Sequence, residues 1–409
     1  MTAPTRGDTA WLVHPLPPWS VKHEIRRPRG QKSRSLRAAV LLLTTTGGLG
    51  SLASTSACGG VGSAIGGGGS DTAYVGVAVG LSAPERYAHM FEGVQLAFDS
   101  LNRHRASGVP PLALRRAPKS ADSPVKIASA FRDDPSIVAV IGHTESDATM
   151  AAAPVYGDRA HGGKDPVPVF TPAGAVAVTR VSPWIYRVNV TIAEQGRVLA
   201  RYADSLGLKR AGILYRNEPS GKDFASAFTE EFAKHGGVVT ERDPFTEDIW
   251  DYDAYAKRLV KTGAQIVAVA GNSPQARATI HALHLAGGTQ VVISTNGPSA
   301  KDTGDFRGLR HIVLYSPERP VASEGATFAT LFKAQYDTPP DHWAALGYDA
   351  AMMIGLAVHE VGPNRKAIHD WFGTIGHGHP AHNGATGSIA FDENRDPVGK
   401  KLLVAEVTR

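Results

Sequence analysis

The segment from Ile137 to Ala153 (IVAVIGHTESDATMAAA) limits the possible folds most strongly, because it predicts a buried strand, a short loop and the start of a helix. Five consecutive apolar residues, Ile137 to Ile141, are typical of a strand covered on both faces, and Gly142 allows a sharp turn after it. In the loop that follows, free backbone N–H groups and the positive end of the helix dipole favour an anion. Ser146 is predicted either to cap this helix or to offer its hydroxyl to a ligand.

Short apolar runs alternate with helical patterns along the rest of the chain. The first run is Tyr74 to Leu81, and apolar residues then recur at steps of three and four up to Leu101. The same alternation starts again after Ile185 to Val188. Strands separated by helices predict parallel sheets with helices on both faces. We therefore expect an α/β fold with two doubly wound parallel-sheet units of similar size, a division that 409 residues allow.

The positive charge of the chain is concentrated at its beginning. Residues 1–57 contain eight Lys or Arg and two acidic residues, which gives this segment a net charge of +6. The whole chain has a net charge of +5. The remaining residues therefore carry a net charge of −1, with basic and acidic side chains interspersed. Because the folded part has no excess of positive charge, nucleic acid is excluded as its partner.

The beginning of the chain is similar to a bacterial lipoprotein export signal. A basic segment, Arg26 to Arg37, precedes the apolar run Ala38 to Leu43, which is too short to span a bilayer. The chain has one cysteine, Cys58, which follows small residues and precedes GGVGSAIGGGGS, although Thr55 stands where such signals usually have Leu. The resemblance implies a signal peptide at 1–57, lipidation of Cys58 and a flexible tether at 58–70. The alternative is an incidental thiol in a flexible tail.

Several short stretches resemble, in order and spacing, the type I periplasmic binding proteins of the branched-chain amino-acid-binding family, the receptors of ABC transporters. The likeness runs from about Ala73 to Val407. The matching stretches are YVGV at 74–77, GVQLAF at 93–98 before Asn102, VIG at 140–142, APVY at 153–156, PVFTP at 168–172, Tyr186-Arg187, GILY at 212–215 with Gly221-Lys222, GYDA at 347–350, and GSIAFDEN at 387–394 with Asp396-Pro397.

This resemblance implies two lobes joined by crossing segments, with a ligand held in the cleft between them. The first lobe would comprise residues 71–189 and 314–375, and the second residues 190–313 and 376–409. Pro317 and Pro320, which follow a predicted strand ending at Tyr315, and the Gly/His-rich stretch 373–384 break the chain where such crossings are needed.

In amino-acid-binding members of the family, two loops of the first lobe hold the ligand carboxylate. The resemblance assigns this role to the side chains of Thr144 and Ser146 and to backbone groups of Ala173 and Ala175. Ligands of parallel sheets bind beyond the carboxyl ends of the strands, which agrees with this placement. Glu145 and Asp147 would repel an anion, so they must face solvent or the ligand is not a simple carboxylate.

The second lobe departs from the amino-acid pattern. Ser220 stands where many members have an aromatic residue, and Asn296 stands near the position of the acid that pairs with a ligand ammonium. Asn272 and Ser273 likewise offer only neutral hydrogen bonds, whereas a buried ammonium needs a charged partner. We therefore expect a polar ligand that need not be a free α-amino acid. Arg86 and Tyr87 are further predicted contacts at the rim.

The leading functional hypothesis is an exported, lipid-anchored receptor that captures a small polar solute and presents it to ABC permease subunits. The alternative is a ligand-sensing or cell-envelope regulatory lipoprotein of the same fold without transport. His377, His379 and His382 have a metal-like spacing, but His/Gly loops are commonly solvated, and we predict neither a metal nor a cofactor. An enzyme is not expected, because no nucleophile and base pair stands out and the common catalytic and phosphate-loop motifs are missing from the sequence. We expect a monomer.

Overall fold

The computed structural model describes residues 11–14, 72–81, 84–157, 166–246, 251–298, 304–317, 320 and 322–408. Cys58 and the predicted tether lie outside these residues, as does the predicted signal peptide apart from one strand. The strands are β1 (Trp11–His14), β2 (Ala73–Val77), β3 (Leu112–Arg116), β4 (Ile137–Ile141), β5 (Val169–Thr171), β6 (Ile185–Arg187), β7 (Arg210–Arg216), β8 (Val238–Phe245), β9 (Ile266–Ala270), β10 (Val291–Ser294), β11 (Arg310–Val313), β12 (His382–Gly384), β13 (Gly387–Phe391), β14 (Pro397–Val398) and β15 (Leu403–Val407). The helices are α1 (Ala88–Arg103), α2 (Pro124–Asp133), α3 (Ser146–Gly157), α4 (Ile192–Ser205), α5 (Pro219–Lys234), α6 (Asp253–Lys261), α7 (Ser273–Leu285), α8 (Ser323–Tyr336), α9 (His342–Val361) and α10 (Arg365–Phe372).

The first sheet has five parallel strands in the order β3-β2-β4-β5-β6. All five residues of β4 are buried, as expected for a strand covered on both faces. One face of the sheet packs with α1 and α9, and the other packs with α2 and α3. We call this sheet and its covering helices the first lobe.

The second sheet has seven strands in the order β1-β15-β11-β10-β9-β7-β8. Strands β7 to β11 pair in parallel, whereas β15 pairs with β11 and β1 in antiparallel register. Helices α4 and α5 pack together on one side, and α6 and α7 pack together on the other. This sheet with helices α4 to α7 is called the second lobe. The expected α/β fold with two parallel-sheet units is confirmed.

The chain passes between the two lobes three times. The passages lie at residues 188–191, between β6 and α4; between β11 and α8; and at residues 399–402, between β14 and β15. Residues 376–398 were predicted to belong to the second lobe. In the structure this segment contacts the first lobe instead. Phe391 packs on Tyr186 of β6, and the centroids of the two rings are 5.2 Å apart.

Arg187, the last residue of β6, lies at the start of the first passage and is fully buried. Its Nε donates to Asp396 Oδ1 at 2.7 Å, and its terminal nitrogens donate to the carbonyl oxygens of Ala173 and Ala175. Asp396 precedes the third passage and is 9% exposed. One buried ion pair therefore joins the first passage, the last hairpin and the loop after β5.

A second buried polar cluster lies beside the third passage. The Asp349 carboxylate on α9 is fully buried and accepts from the backbone N–H groups of Ala385, at 2.6 Å, and Thr386, at 2.9 Å. The Thr386 hydroxyl also donates to Asp349 and accepts from Lys400 Nζ. Since Lys400 belongs to the passage, this cluster anchors that passage to the first lobe.

Candidate functional site

The carboxyl ends of the central strands in the two lobes lie close to each other. The loops after β4 and β5 are at this edge of the first sheet, and the start of α5 after β7 is at the corresponding edge of the second. Helix α5 contacts both α3 and the short 3-10 helix Val176–Thr179. Ligands of open parallel sheets bind beyond the carboxyl ends of the strands, so this is the candidate cleft.

Thr144 and Tyr87, two of the predicted contacts, lie together on the wall of the first lobe. The buried Thr144 Oγ1 accepts from the Gly80 backbone N–H at 2.9 Å. The Tyr87 hydroxyl lies 3.4 Å from Glu145 Oε1, and burial together with the Glu145 charge raises the pKa of Tyr87 to about 12. Asp147 faces solvent, whereas Glu145 turns toward Tyr87 and brings a negative charge to this wall.

Ser146 joins the two loops of the first lobe. It is the first residue of α3, and its Oγ accepts from the backbone N–H of Ala175 at 3.1 Å. The Ala173 N–H donates to Thr171 Oγ1 at 3.0 Å, and Arg187 binds the carbonyls of both alanines. Ser146 and Ala175 therefore bind each other in this conformation, and the polar groups of Ala173 are bonded to Thr171 and Arg187 of the same lobe. A ligand that uses them has to replace some of these hydrogen bonds.

The wall of the second lobe encloses a small cavity of about 70 Å³. Three predicted residues line it, namely Ser220, Asn272 and Asn296. The Asn296 side-chain amide donates to the Gly271 carbonyl at 2.9 Å. Ser273 is buried as the first residue of α7. Typical solute pockets measure about 300–1,000 Å³, so this cavity by itself is smaller than a solute pocket.

Arg216 and Glu218, which were not predicted from the sequence, also line this cavity. Their side chains form an ion pair at 3.2 Å, each about 24% exposed. The Ser220 hydroxyl donates to Glu218 Oε1 at 2.7 Å. The lining therefore carries a guanidinium and a carboxylate beside the neutral groups of Ser220, Asn272 and Asn296. The signal was their position directly after an apolar strand, the criterion that selected Ser146.

Arg86 and the three histidines do not join the cavity residues. Arg86 is half-buried in the 3-10 helix Pro84–Tyr87. His377 Nε2 lies 3.2 Å from the Phe391 carbonyl, and His379 Nε2 lies 2.9 Å from Glu360 Oε1. Across the described residues, no group of three or more His, Cys, Asp or Glu side chains is arranged to hold a metal ion. Within the same ranges, no helix combines the length and apolar character needed to cross a membrane.

Comparison with solved structures supports the fold. The leucine-binding protein LivK from Thermotoga maritima superposes with a TM-score of 0.71 at 24% identity, covering 82% of this chain and 95% of that one. LivJ from Streptococcus pneumoniae, in complex with isoleucine, superposes with a TM-score of 0.69 at 19% identity, covering 82% of this chain and 99% of that one. A solute-binding protein of an ABC transporter from R. palustris, in complex with benzoate, superposes with a TM-score of 0.68 at 18% identity, covering 82% of this chain and 93% of that one.

Sequence comparisons agree with the structural ones. An amino acid binding protein from Pseudomonas aeruginosa is 22% identical over 266 residues, which cover 61% of this chain and 66% of the relative, just under two thirds of its length. The family profile described as periplasmic binding protein matches residues 72–408, most of the chain. Together with the two parallel sheets and the polar cleft at their facing edges, this match places the chain in the periplasmic binding protein family, with the type I fold.

Proposed function

We propose that this protein is the extracytoplasmic solute-binding lipoprotein of an ABC importer, and that it captures a small polar solute between its lobes. The observation that carries the proposal is the pair of polar walls at the carboxyl ends of the two sheets, where Ser146 and Arg216 stand on opposite lobes. Family membership supports the same role. Closure of the lobes around a solute is the mechanism that three connecting passages permit.

The charges of the cleft, Arg216 together with Glu218 and Glu145, favour an amino-acid-like solute that carries an ammonium as well as a carboxylate. Arg216 can pair with a carboxylate, and Glu218 can pair with an ammonium. The solutes named for the solved relatives, leucine, isoleucine and benzoate, all carry a carboxylate. The Arg216–Glu218 pair is partly exposed, so a ligand can compete for either member at modest cost.

Arg216→Met is expected to weaken binding of the solute about tenfold, because it removes a charge-assisted hydrogen bond in the cleft. Protein freed of bound solute by unfolding and refolding is titrated calorimetrically with leucine, isoleucine, benzoate and 4-hydroxybenzoate. The matched control is Arg210→Met, which removes an exposed arginine from the opposite end of the same strand. Absence of binding to every compound, or equal effects of the two variants, contradicts the proposed role of this wall.

The proposed lipid anchor is tested by the mass of the exported protein. In its own host, the protein is expected to begin at a Cys58 that carries acyl chains and to sediment with membranes. Cys58→Ser is expected to release the protein into the soluble fraction, because several buried acyl chains anchor a protein and their loss leaves it without an anchor. A mass without lipid at Cys58 rules out the anchor but leaves solute binding intact.

A further inference from the structure

A hydrogen bond crosses the cleft from one lobe to the other. Asp223 lies on α5 of the second lobe, and its Oδ2 accepts from the backbone N–H of Val176 in the first lobe at 2.7 Å. We infer that Asp223 is a latch that holds the two lobes closed. The inference concerns closure rather than solute identity, so it stands independently of the proposed function.

This N–H lies at a helix start. Val176 is the first residue of a short 3-10 helix, and the first N–H groups of a helix have no acceptor within it, so the bond to Asp223 supplies one from the other lobe. The neighbouring N–H of Ala175 is bonded within the first lobe, to Ser146. Two consecutive amides of one loop are therefore bound by different lobes.

Charge reinforces the contact. The carboxylate of Asp223 acts electrostatically on the buried guanidinium of Arg187 and favours its charged form. Arg187 in turn holds the Ala173 and Ala175 carbonyls, so the loop that receives the latch is fixed from behind. The negative side chain from the second lobe thus binds an amide donor of a loop that has a buried positive charge behind it.

This arrangement has a consequence for the equilibrium between open and closed forms. Separation of the lobes breaks the bond, and the half-buried carboxylate and amide then need water as partners. The latch therefore favours the closed form even without solute. A variant that lacks it has a larger open population, and a solute that requires closure then binds it more weakly.

The experiment measures the distance between the lobes without any solute. Spin labels are placed at two exposed positions by Lys119→Cys in the first lobe and Lys257→Cys in the second, in the full chain carrying Cys58→Ser. Pulsed electron–electron double resonance then gives the distribution of distances. Asp223→Ala is expected to lower the ratio of closed to open molecules about tenfold.

A second variant removes the donor instead of the acceptor. Val176→Pro eliminates the N–H, and Ala175 already has the extended backbone (φ −62°, ψ 139°) that a following proline requires. The proline variant is expected to open the lobes like Asp223→Ala, and the double variant is expected to open them little further, because both changes remove the same bond.

The control is Glu230→Ala, which removes the same charge from an exposed position on the same helix. It is expected to leave the distances unchanged. The inference is overturned if Asp223→Ala and Val176→Pro both keep the parent distribution, if the effects of the two changes simply add, or if the control opens the lobes equally. Should the alanine variant fail to fold, the proline variant alone decides between opening and no opening.

Discussion

Replacing Arg187 with methionine is expected to lower the free energy of unfolding by about 3–5 kcal/mol. The guanidinium is fully buried, and the apolar replacement leaves the Asp396 carboxylate without its cation. The Ala173 carbonyl loses the Arg187 donor at the same time, and the Ala175 carbonyl keeps only the Val178 N–H. Because a buried charge without a partner costs more than the ion pair contributes, the loss exceeds that of a surface salt bridge.

Urea unfolding, followed by circular dichroism, measures this loss. The matched control is Arg197→Met on α4, where the arginine is 39% exposed and pairs with Glu194 one turn away. That change is expected to cost less than about 0.5 kcal/mol. Adding Asp396→Asn to Arg187→Met is expected to recover part of the loss, because the unpaired charge is removed. A loss below about 1 kcal/mol for Arg187→Met contradicts its assigned role.

The second large effect is a rise in stability at alkaline pH that depends on Lys400. Burial lowers the pKa of Lys400 to about 8, and the nearby Asp349 carboxylate offsets this only in part. In the unfolded chain a lysine has a pKa of about 10.4. Between these two values the unfolded chain binds a proton that the folded protein has released, so the free energy of unfolding rises with pH. Below pH 8 both states bind the proton, and the contribution of Lys400 is constant.

Lys400→Met isolates this contribution from those of other titrating groups. The difference in unfolding free energy between parent and variant is expected to rise by about 2 kcal/mol from about pH 8 to pH 10. Lys401→Met serves as the control, since its side chain is exposed beside the same passage. Unfolding of the three proteins in urea at both pH values gives the comparison. A difference that is flat across this range shows that Lys400 keeps its proton in the folded protein.

Much of the fold could be predicted from the sequence, because its signals are local. The apolar run of β4 and the amphipathic pattern of α1 each depend on residues within a few positions of one another, and both elements form as expected. The order of strands and helices then implies parallel sheets. The family resemblance, carried by short stretches in a fixed order, is confirmed by the match over residues 72–408.

The parts that could not be predicted depend on distant pairs. Arg187 and Asp396 are 209 positions apart, and no local pattern shows that they meet. The same applies to Ser146, whose hydroxyl was expected at a helix end or a ligand but binds Ala175, 29 positions away. Arg216 and Glu218 are different, because their signal is local: they follow the apolar run of β7 within three positions and lie at the edge of the cleft.

The packing of α1 against α9 has a consequence for how the protein is made. These helices cover the same face of the first sheet, yet they lie near opposite ends of the described chain. During synthesis the apolar residues of β2 and α1 therefore remain uncovered until residue 361 has left the ribosome. Contacts of such long sequence separation slow folding. We expect the newly made chain to depend on chaperones until α9 is available to cover this face.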